Sequence, residues 1–123
     1  MKTRLGWPTW IGVVAEDLEA QRRFYREVLG LEETAHGEGW VQFGVGGRLF
    51  EVIGRTGDPQ YASRRYQVGF TVEDIHATRD ELTQAGVEAL TEVEGGPDSA
   101  NQWCYFRDPE GNVFEITEWV TKP

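Results

Sequence analysis

The chain has 123 residues, the length of one ordinary domain and enough to bury about two thirds of the surface of the unfolded chain. Its net charge is −9, from 21 acidic and 12 basic residues, which argues against nucleic acid and anionic membranes as partners because both need clustered Lys and Arg. No apolar run of signal-peptide or transmembrane length is present, so we expect a soluble, cytoplasmic protein.

The first half of the chain predicts a strand, a helix and three further strands. The first strand covers about residues 9–15, and Asp17 then caps a helix that ends at Gly30. Short strands follow near residues 31–36, 39–45 and 48–53, separated by the turn sequences "HGEG" and "VGGR". The predicted buried face of the helix consists of Leu18, Phe24, Val28 and Leu29.

The second half repeats this order after a polar linker at about residues 54–64. A helix is expected over about 74–85, with Gly86 at its end, and "DPEGN" predicts the turn of a hairpin. On the strand before that turn, alternation places Trp103 and Tyr105 on one face and Cys104 and Phe106 on the other. Cys104 is the single cysteine, so we expect a structural thiol and no disulfide.

The two halves are also similar residue by residue. "WIGVVAEDLEAQRRF" from residue 10 aligns with "QVGFTVEDIHATRDE" from residue 67, and "GWVQFGVGGRLFEV" aligns with "NQWCYFRDPEGNVFEI". These alignments pair Trp10 with Gln67 and Glu51 with Glu115. The repeat predicts an α+β fold in which two tandem βαβββ modules form one cupped mixed sheet with the helices outside. We expect one domain, with module one at about 7–53 and module two at about 65–119.

The repeated segments resemble the vicinal oxygen chelate superfamily, which includes glyoxalase I, bleomycin and fosfomycin resistance proteins and extradiol dioxygenases. The resemblance rests on "IGVVAEDLEAQRRFYREVLGL", "VGFTVEDI" and "FRDPEGNVFEITEW", and it covers almost the whole chain. It implies a small-molecule site in the cup of the sheet. Small members commonly form homodimers, so a homodimer is expected here.

The resemblance also implies where a metal would bind. Metal-using members hold a cation with one residue early on the first strand of each module, usually His, and one acid on the last strand. The first-strand positions here are Trp10 and Gln67, whereas the acidic positions are Glu51 and Glu115. An indole offers no lone pair to a metal, and a Gln oxygen is a weak neutral ligand. Glu51, Gln67 and Glu115 could still hold a divalent ion such as Mg, Mn, Zn or Ni, although we expect no cofactor.

The dioxygenase chemistry is disfavoured, because non-heme iron requires two His with a carboxylate. The two His of this chain, His36 and His76, are predicted on a turn and on a helix, away from the site.

Without a metal, two facing carboxylates must be neutralised by a proton, a nearby donor or a cationic ligand. The predicted ligand-binding residues share one face of the strands and are Trp10, Trp40, Gln42, Glu51, Gln67, Trp103, Tyr105 and Glu115. A Trp-lined acidic cup suits a flat or cationic organic ligand. Two structural interpretations stay open: Trp40 could be a core residue, and Glu115 could simply be hydrogen-bonded to Gln67.

These residues favour a small-molecule binding protein of the bleomycin-resistance type, which would sequester or modify its ligand and so confer antibiotic resistance. The alternative is a metal-dependent lyase, isomerase or transferase of the glyoxalase type, with Glu51 and Glu115 as ligands and Glu115 as the candidate catalytic base. A third interpretation is a domain whose pocket is vestigial. Whether the protein is an enzyme stays open.

Overall fold

The computed structural model describes residues 5–54, 65–96 and 101–119. The chain divides into two compact units. The first unit consists of residues 9–67, and the second consists of residues 68–123 together with residues 1–8. Apart from residue 54, the expected linker lies outside the described residues. The single-domain organisation and its module boundaries stay predictions.

The first unit contains the predicted strand, helix and three strands. Its strands lie in the order β2-β3-β4-β1, with β1 parallel to β4 and the other neighbours antiparallel. The elements are β1 (Pro8–Val14), α1 (Leu18–Arg23), a π-helical turn (Phe24–Val28), β2 (Glu33–Gly37), β3 (Trp40–Val45) and β4 (Arg48–Ile53).

Helix α1 begins as predicted but buries a different face. The Asp17 carboxylate accepts a hydrogen bond from the Ala20 amide, which caps the helix. Val28 and Leu29 are more than half exposed, and Phe24 is 44% exposed, whereas Tyr25 is buried. The prediction was therefore wrong for Phe24, Val28 and Leu29, whereas Leu18 packs against the apolar cluster as predicted. Tyr25 follows Leu18 by seven residues, which is two helical turns, so regular spacing directs both side chains to the buried side of the helix.

The core of the first unit lies between the helix and one face of the sheet. Alternation along β3 and β4 directs Val41, Phe43 and Val52 to this face, where they are almost fully buried. Tyr25 packs edge-on against Phe50, with ring centroids 4.7 Å apart. The opposite face carries Trp10, Gln42 and Glu51.

The second unit has the same order of elements, with strands arranged β5-β8-β7-β6. Strand β5 is parallel to β8, whereas β8 with β7 and β7 with β6 are antiparallel. The elements are β5 (Gln67–Thr71), α2 (Ile75–Gln84), β6 (Glu88–Ala89), β7 (Asn101–Arg107) and β8 (Val113–Trp119). Helices combined with mixed parallel and antiparallel strands confirm the α+β class.

The core of the second unit lies beneath α2. Ile75 and Leu82 of the helix pack with Cys104, Phe106 and Ile116 from the strands. The predicted alternation along β7 is confirmed, since Cys104 and Phe106 are fully buried whereas Trp103 and Tyr105 are only partly buried. No helix in the described part of the chain has the length and apolar character needed to cross a bilayer.

The strand register shows the repeat directly. Glu51 pairs with Gly12 on its parallel neighbour and with Gln42 on its antiparallel neighbour. The equivalent acid, Glu115, pairs with Gly69 and Tyr105 in the same way. Each module therefore places an acid beside a glycine of its first strand.

His36 departs from its predicted position. It lies in β2 and not in a turn, with Nδ1 3.3 Å from a Glu33 carboxylate oxygen. His76 lies on α2, as predicted.

Candidate functional site

In the first unit, Glu51 lies at the centre of the sheet face opposite the core. The register places Gly12 beside it, and the indole of Trp10 folds over this glycine. A Cβ atom at Gly12 would come within 2.2 Å of the Trp10 ring, so only glycine leaves room for the indole there. Trp10 is only 8% exposed, although it is not a member of the apolar cluster between helix and sheet.

Both oxygens of the Glu51 carboxylate accept hydrogen bonds from neutral donors. The Trp10 indole N–H donates to Oε1 at 3.1 Å, and the Gln42 side-chain amide donates to Oε2 at 3.1 Å. Burial raises the pKa of Glu51, and these two hydrogen bonds oppose that rise without cancelling it. The carboxylate is thus fixed in orientation, but neither donor brings a compensating positive charge.

Trp40 lies on the same face as Gln42, two residues along β3. Its indole rests against Gly37 of the paired strand β2, where an added Cβ would approach the ring to 2.5 Å. Trp40 is half-buried and is not among the buried residues of the apolar cluster. The structure therefore places it on the sheet face of Glu51.

In the second unit, Glu115 is 5% exposed, and its Oε1 accepts a hydrogen bond of 2.8 Å from the Thr117 hydroxyl. Tyr105 is its direct neighbour on β7, and Trp103 follows two residues away, opposite Thr117. The predicted face of β7 and β8 is thus assembled within this unit. Thr117 was missed, although strand alternation from Glu115 would have identified it.

Trp103 has a partner that the sequence did not predict. Its indole N–H donates to the Glu94 carboxylate at 3.0 Å, and the two residues also form an antiparallel bridge. Glu94 lies in a connecting segment, where alternation gives no signal for its side-chain direction.

Gln67 is buried, at the start of β5. Convergence of Glu51 with Glu115 and contact of Gln67 with Glu115 stay predictions. Burial raises the pKa of the Cys104 thiol to about 12, so this thiol is neutral at physiological pH and unsuited to nucleophilic chemistry.

The residues of the first unit do not fit a His-type metal position. The Trp10 indole directs a proton towards Glu51, in the direction from which a cation would bind that oxygen, and it has no lone pair. The Gln42 amide does the same at the other oxygen. Among residues 5–54, 65–96 and 101–119, no three His, Cys, Asp or Glu side chains cluster as metal ligands would.

A groove of about 650 Å³ lies elsewhere in the first unit, at the end of β1 and beside α1. Its walls include Phe24, Tyr25 and Tyr66, and the Tyr25 and Tyr66 hydroxyls are 2.6 Å apart. The groove contains none of the predicted site residues and is on the helix side of the sheet.

Comparison with known proteins defines the class. A family model described as "Glyoxalase/Bleomycin resistance protein/Dioxygenase superfamily" matches residues 7–116. The chain therefore belongs to this superfamily, which confirms the resemblance seen in the sequence.

The individual proteins that this chain resembles share low sequence identity with it. The uncharacterized protein YraH of Bacillus subtilis (strain 168) is 27% identical over 123 residues, covering 86% of this chain and 93% of that protein. The Mn(II)-bound glyoxalase from Novosphingobium aromaticivorans has a TM-score of 0.71 at 19% identity, covering 98% of this chain and 41% of that one. A Streptomyces coelicolor methylmalonyl-CoA epimerase variant in complex with 2-nitronate-propionyl-CoA has a TM-score of 0.75 at 16% identity, covering 97% and 98%. At these identities the structural likenesses concern the fold.

Proposed function

We propose that this protein binds small, flat, cationic organic molecules on the face of Trp10 and Glu51 in the first unit and on the equivalent face of Trp103 and Glu115 in the second, as a bleomycin-resistance protein sequesters its ligand. The observation that carries the proposal is the pairing of Glu51 with two neutral donors. The two donors hold this carboxylate in place without compensating its charge, which a cationic ligand would do. A cation that stacks on the neighbouring indoles would supply this charge.

Two further features support binding over a purely structural role. The acids lie on faces with aromatic and amide side chains, whereas the apolar clusters lie on the opposite faces of the same strands. The net charge of −9 also favours association with cations over anions.

Ligand binding is tested by titrating the protein with N-methylquinolinium and following tryptophan fluorescence, with neutral quinoline as the matched control. We expect quenching at lower concentrations of the cation, and loss of this preference in Glu51→Gln. The exposed Glu38→Gln change is the control, because it removes one charge outside the described contacts of the site. Equal affinity for the two probes in the wild type would contradict the proposal.

The metal-dependent alternative makes a different prediction. If Glu51 and Glu115 bind a divalent ion, Mn²⁺ should raise the melting temperature by mass action. Mn²⁺ should then weaken the binding of N-methylquinolinium, because both cations need the same carboxylates and repel each other. Titration of N-methylquinolinium first with a chelator and then with added Mn²⁺ separates the two functions.

We also propose that the protein forms a homodimer. Several large apolar side chains are exposed in the described chain, including Trp7 at 83% and Val28 at 70%. A symmetric contact would bury such residues, and two-fold dimers are the commonest soluble oligomers. Light scattering should give twice the chain mass of 14.0 kDa, and a monomer at micromolar concentration would contradict this proposal.

A further inference from the structure

Three kinds of contact fix Trp103 in the second unit. Its main chain exchanges two hydrogen bonds with Glu94, of 2.7 and 3.1 Å, and its indole N–H donates to the Glu94 carboxylate at 3.0 Å. The benzo ring lies against Gly95, where a Cβ atom would approach it to 2.8 Å. Gly95 also has a φ of 79°, which favours glycine. The segment at Glu94 and Gly95 therefore fixes both the direction of the N–H and the position of the ring.

The first unit repeats this arrangement with different residues. Trp10 donates its indole N–H to Glu51 and lies over Gly12. Trp40 lies over Gly37. Three of the five tryptophans thus rest on glycines, and two of them donate to carboxylates.

These contacts restrict the ligand. An indole N–H that already donates to a carboxylate is not available for a carboxylate, phosphate or carbonyl of a ligand. The aromatic ring of each tryptophan can still stack on a ligand. The adjacent carboxylate still has lone pairs that can accept a hydrogen bond from a ligand. The site should therefore accept aromatic cations and N–H donors and exclude aromatic anions.

We propose that Glu94 is a positioning residue that reserves Trp103 for stacking and thereby makes the site reject anionic aromatic ligands. This inference rests on the proposed function, because it specifies the class of ligand that binds at the sheet face of Trp103 and Glu115. Removal of the Glu94 carboxylate should free the Trp103 N–H and let its ring turn. Glu94→Gln should preserve the hydrogen bond and the ring position, since the amide oxygen still accepts from the Trp103 N–H.

The first measurement needs no ligand. In a proton–nitrogen NMR spectrum, the indole N–H resonance of Trp103 is assigned by its loss in Trp103→Phe. We expect Glu94→Ala to shift this resonance upfield and speed its exchange with solvent, and Glu94→Gln to leave it near the wild-type position. Glu92→Ala is the matched control, because the Glu92 side chain is 90% exposed and contacts Arg79.

The second measurement is the affinity of each variant for N-methylquinolinium, quinoline and quinoline-2-carboxylate. Glu94→Ala should weaken binding of the cation about 10-fold, the equivalent of one lost cation–π contact with Trp103, and strengthen binding of the anion. Glu94→Gln should weaken cation binding only about 3-fold, and Glu92→Ala should do the same or less.

The two claims fail in different ways. An unmoved Trp103 resonance in Glu94→Ala overturns the positioning role, whatever the ligand affinities are. Wild-type binding of quinoline-2-carboxylate as tight as that of N-methylquinolinium overturns the exclusion of anions. Absence of binding by all three probes overturns the proposed function and the ligand class with it, while the NMR result still reports on Glu94.

Discussion

The hydrogen bond between Trp10 and Glu51 should contribute a measurable coupling energy that depends on pH. Trp10→Phe removes the indole N–H but also removes buried ring atoms, so this variant alone mixes two effects. Glu51→Gln keeps the shape of the acceptor and removes its charge. The double-mutant cycle of these two changes subtracts the packing loss and isolates the interaction between the two side chains.

The magnitude follows from the geometry. The donor–acceptor distance is 3.1 Å, and Trp10 is almost fully buried. A hydrogen bond to a charged group is worth about 1.5–3 kcal/mol and one to a neutral group about 0.5–1.5 kcal/mol. The amide oxygen in Glu51→Gln still accepts a hydrogen bond, so the cycle measures the difference between the charged and the neutral bond. We therefore expect a coupling of about 1–1.5 kcal/mol near neutral pH. Urea denaturation of the four proteins measures it.

The pH dependence has a defined sign. The pKa of folded Glu51 lies above its ordinary value of 4.5 because of burial. Below pH 4.5 Glu51 is protonated in both the folded and the unfolded protein, so its burial as an ion costs no stability. As pH rises from 4.5 to the folded pKa, this loss of stability grows, and above the folded pKa it is complete. Glu51→Gln should therefore be at least as stable as the wild type near neutral pH and lose this advantage in acid. A coupling below about 0.3 kcal/mol at both pH values would refute the reasoning.

Three other variants test the surrounding structure by urea denaturation. Arg22 lowers the pKa of Glu33 through paired hydrogen bonds of 2.7 and 2.6 Å, so Glu33→Gln should be less stable than the wild type above pH 4.5. This deficit should vanish as pH falls through the lowered pKa, and a constant deficit would contradict it. Val52 is fully buried, and Val52→Ala should cost about 2–3 kcal/mol; a cost below about 1 kcal/mol would place it outside the core. Tyr66→Phe should cost about 1 kcal/mol and lower the pKa of Tyr25, which burial and the Tyr66 hydroxyl raise to about 12; an unchanged phenolate titration would exclude that contact.

The order of the elements and the alignment of the two modules were predictable because they depend on short-range patterns. Alternation along a strand determines which side chains share a face, so the sequence alone is enough to assign Gln42 and Glu51 to the same face. Glycine in both first strands, at positions 12 and 69, was visible as part of the repeat. Its function in making room for the Trp10 indole was not, because that depends on a side-chain conformation.

Other features depend on information that the pattern does not contain. Leu29 lies eleven residues after Leu18, where regular helical spacing would bury it, but the π-helical turn at Phe24–Val28 changes that spacing and Leu29 is exposed. Glu94 lies in a connecting segment, so only the bridge with Trp103 reveals its direction.

The most direct test of the central claim, that the site binds an organic cation without a metal, is the melting temperature in three conditions. Wild-type protein and Glu115→Gln are each melted with a chelator, with Mn²⁺, and with N-methylquinolinium plus chelator. We predict that N-methylquinolinium stabilises the chelated wild type, that Mn²⁺ does not, and that Glu115→Gln folds but loses part of the stabilisation by the cation. Stabilisation of the wild type by Mn²⁺ that disappears in Glu115→Gln would contradict the account.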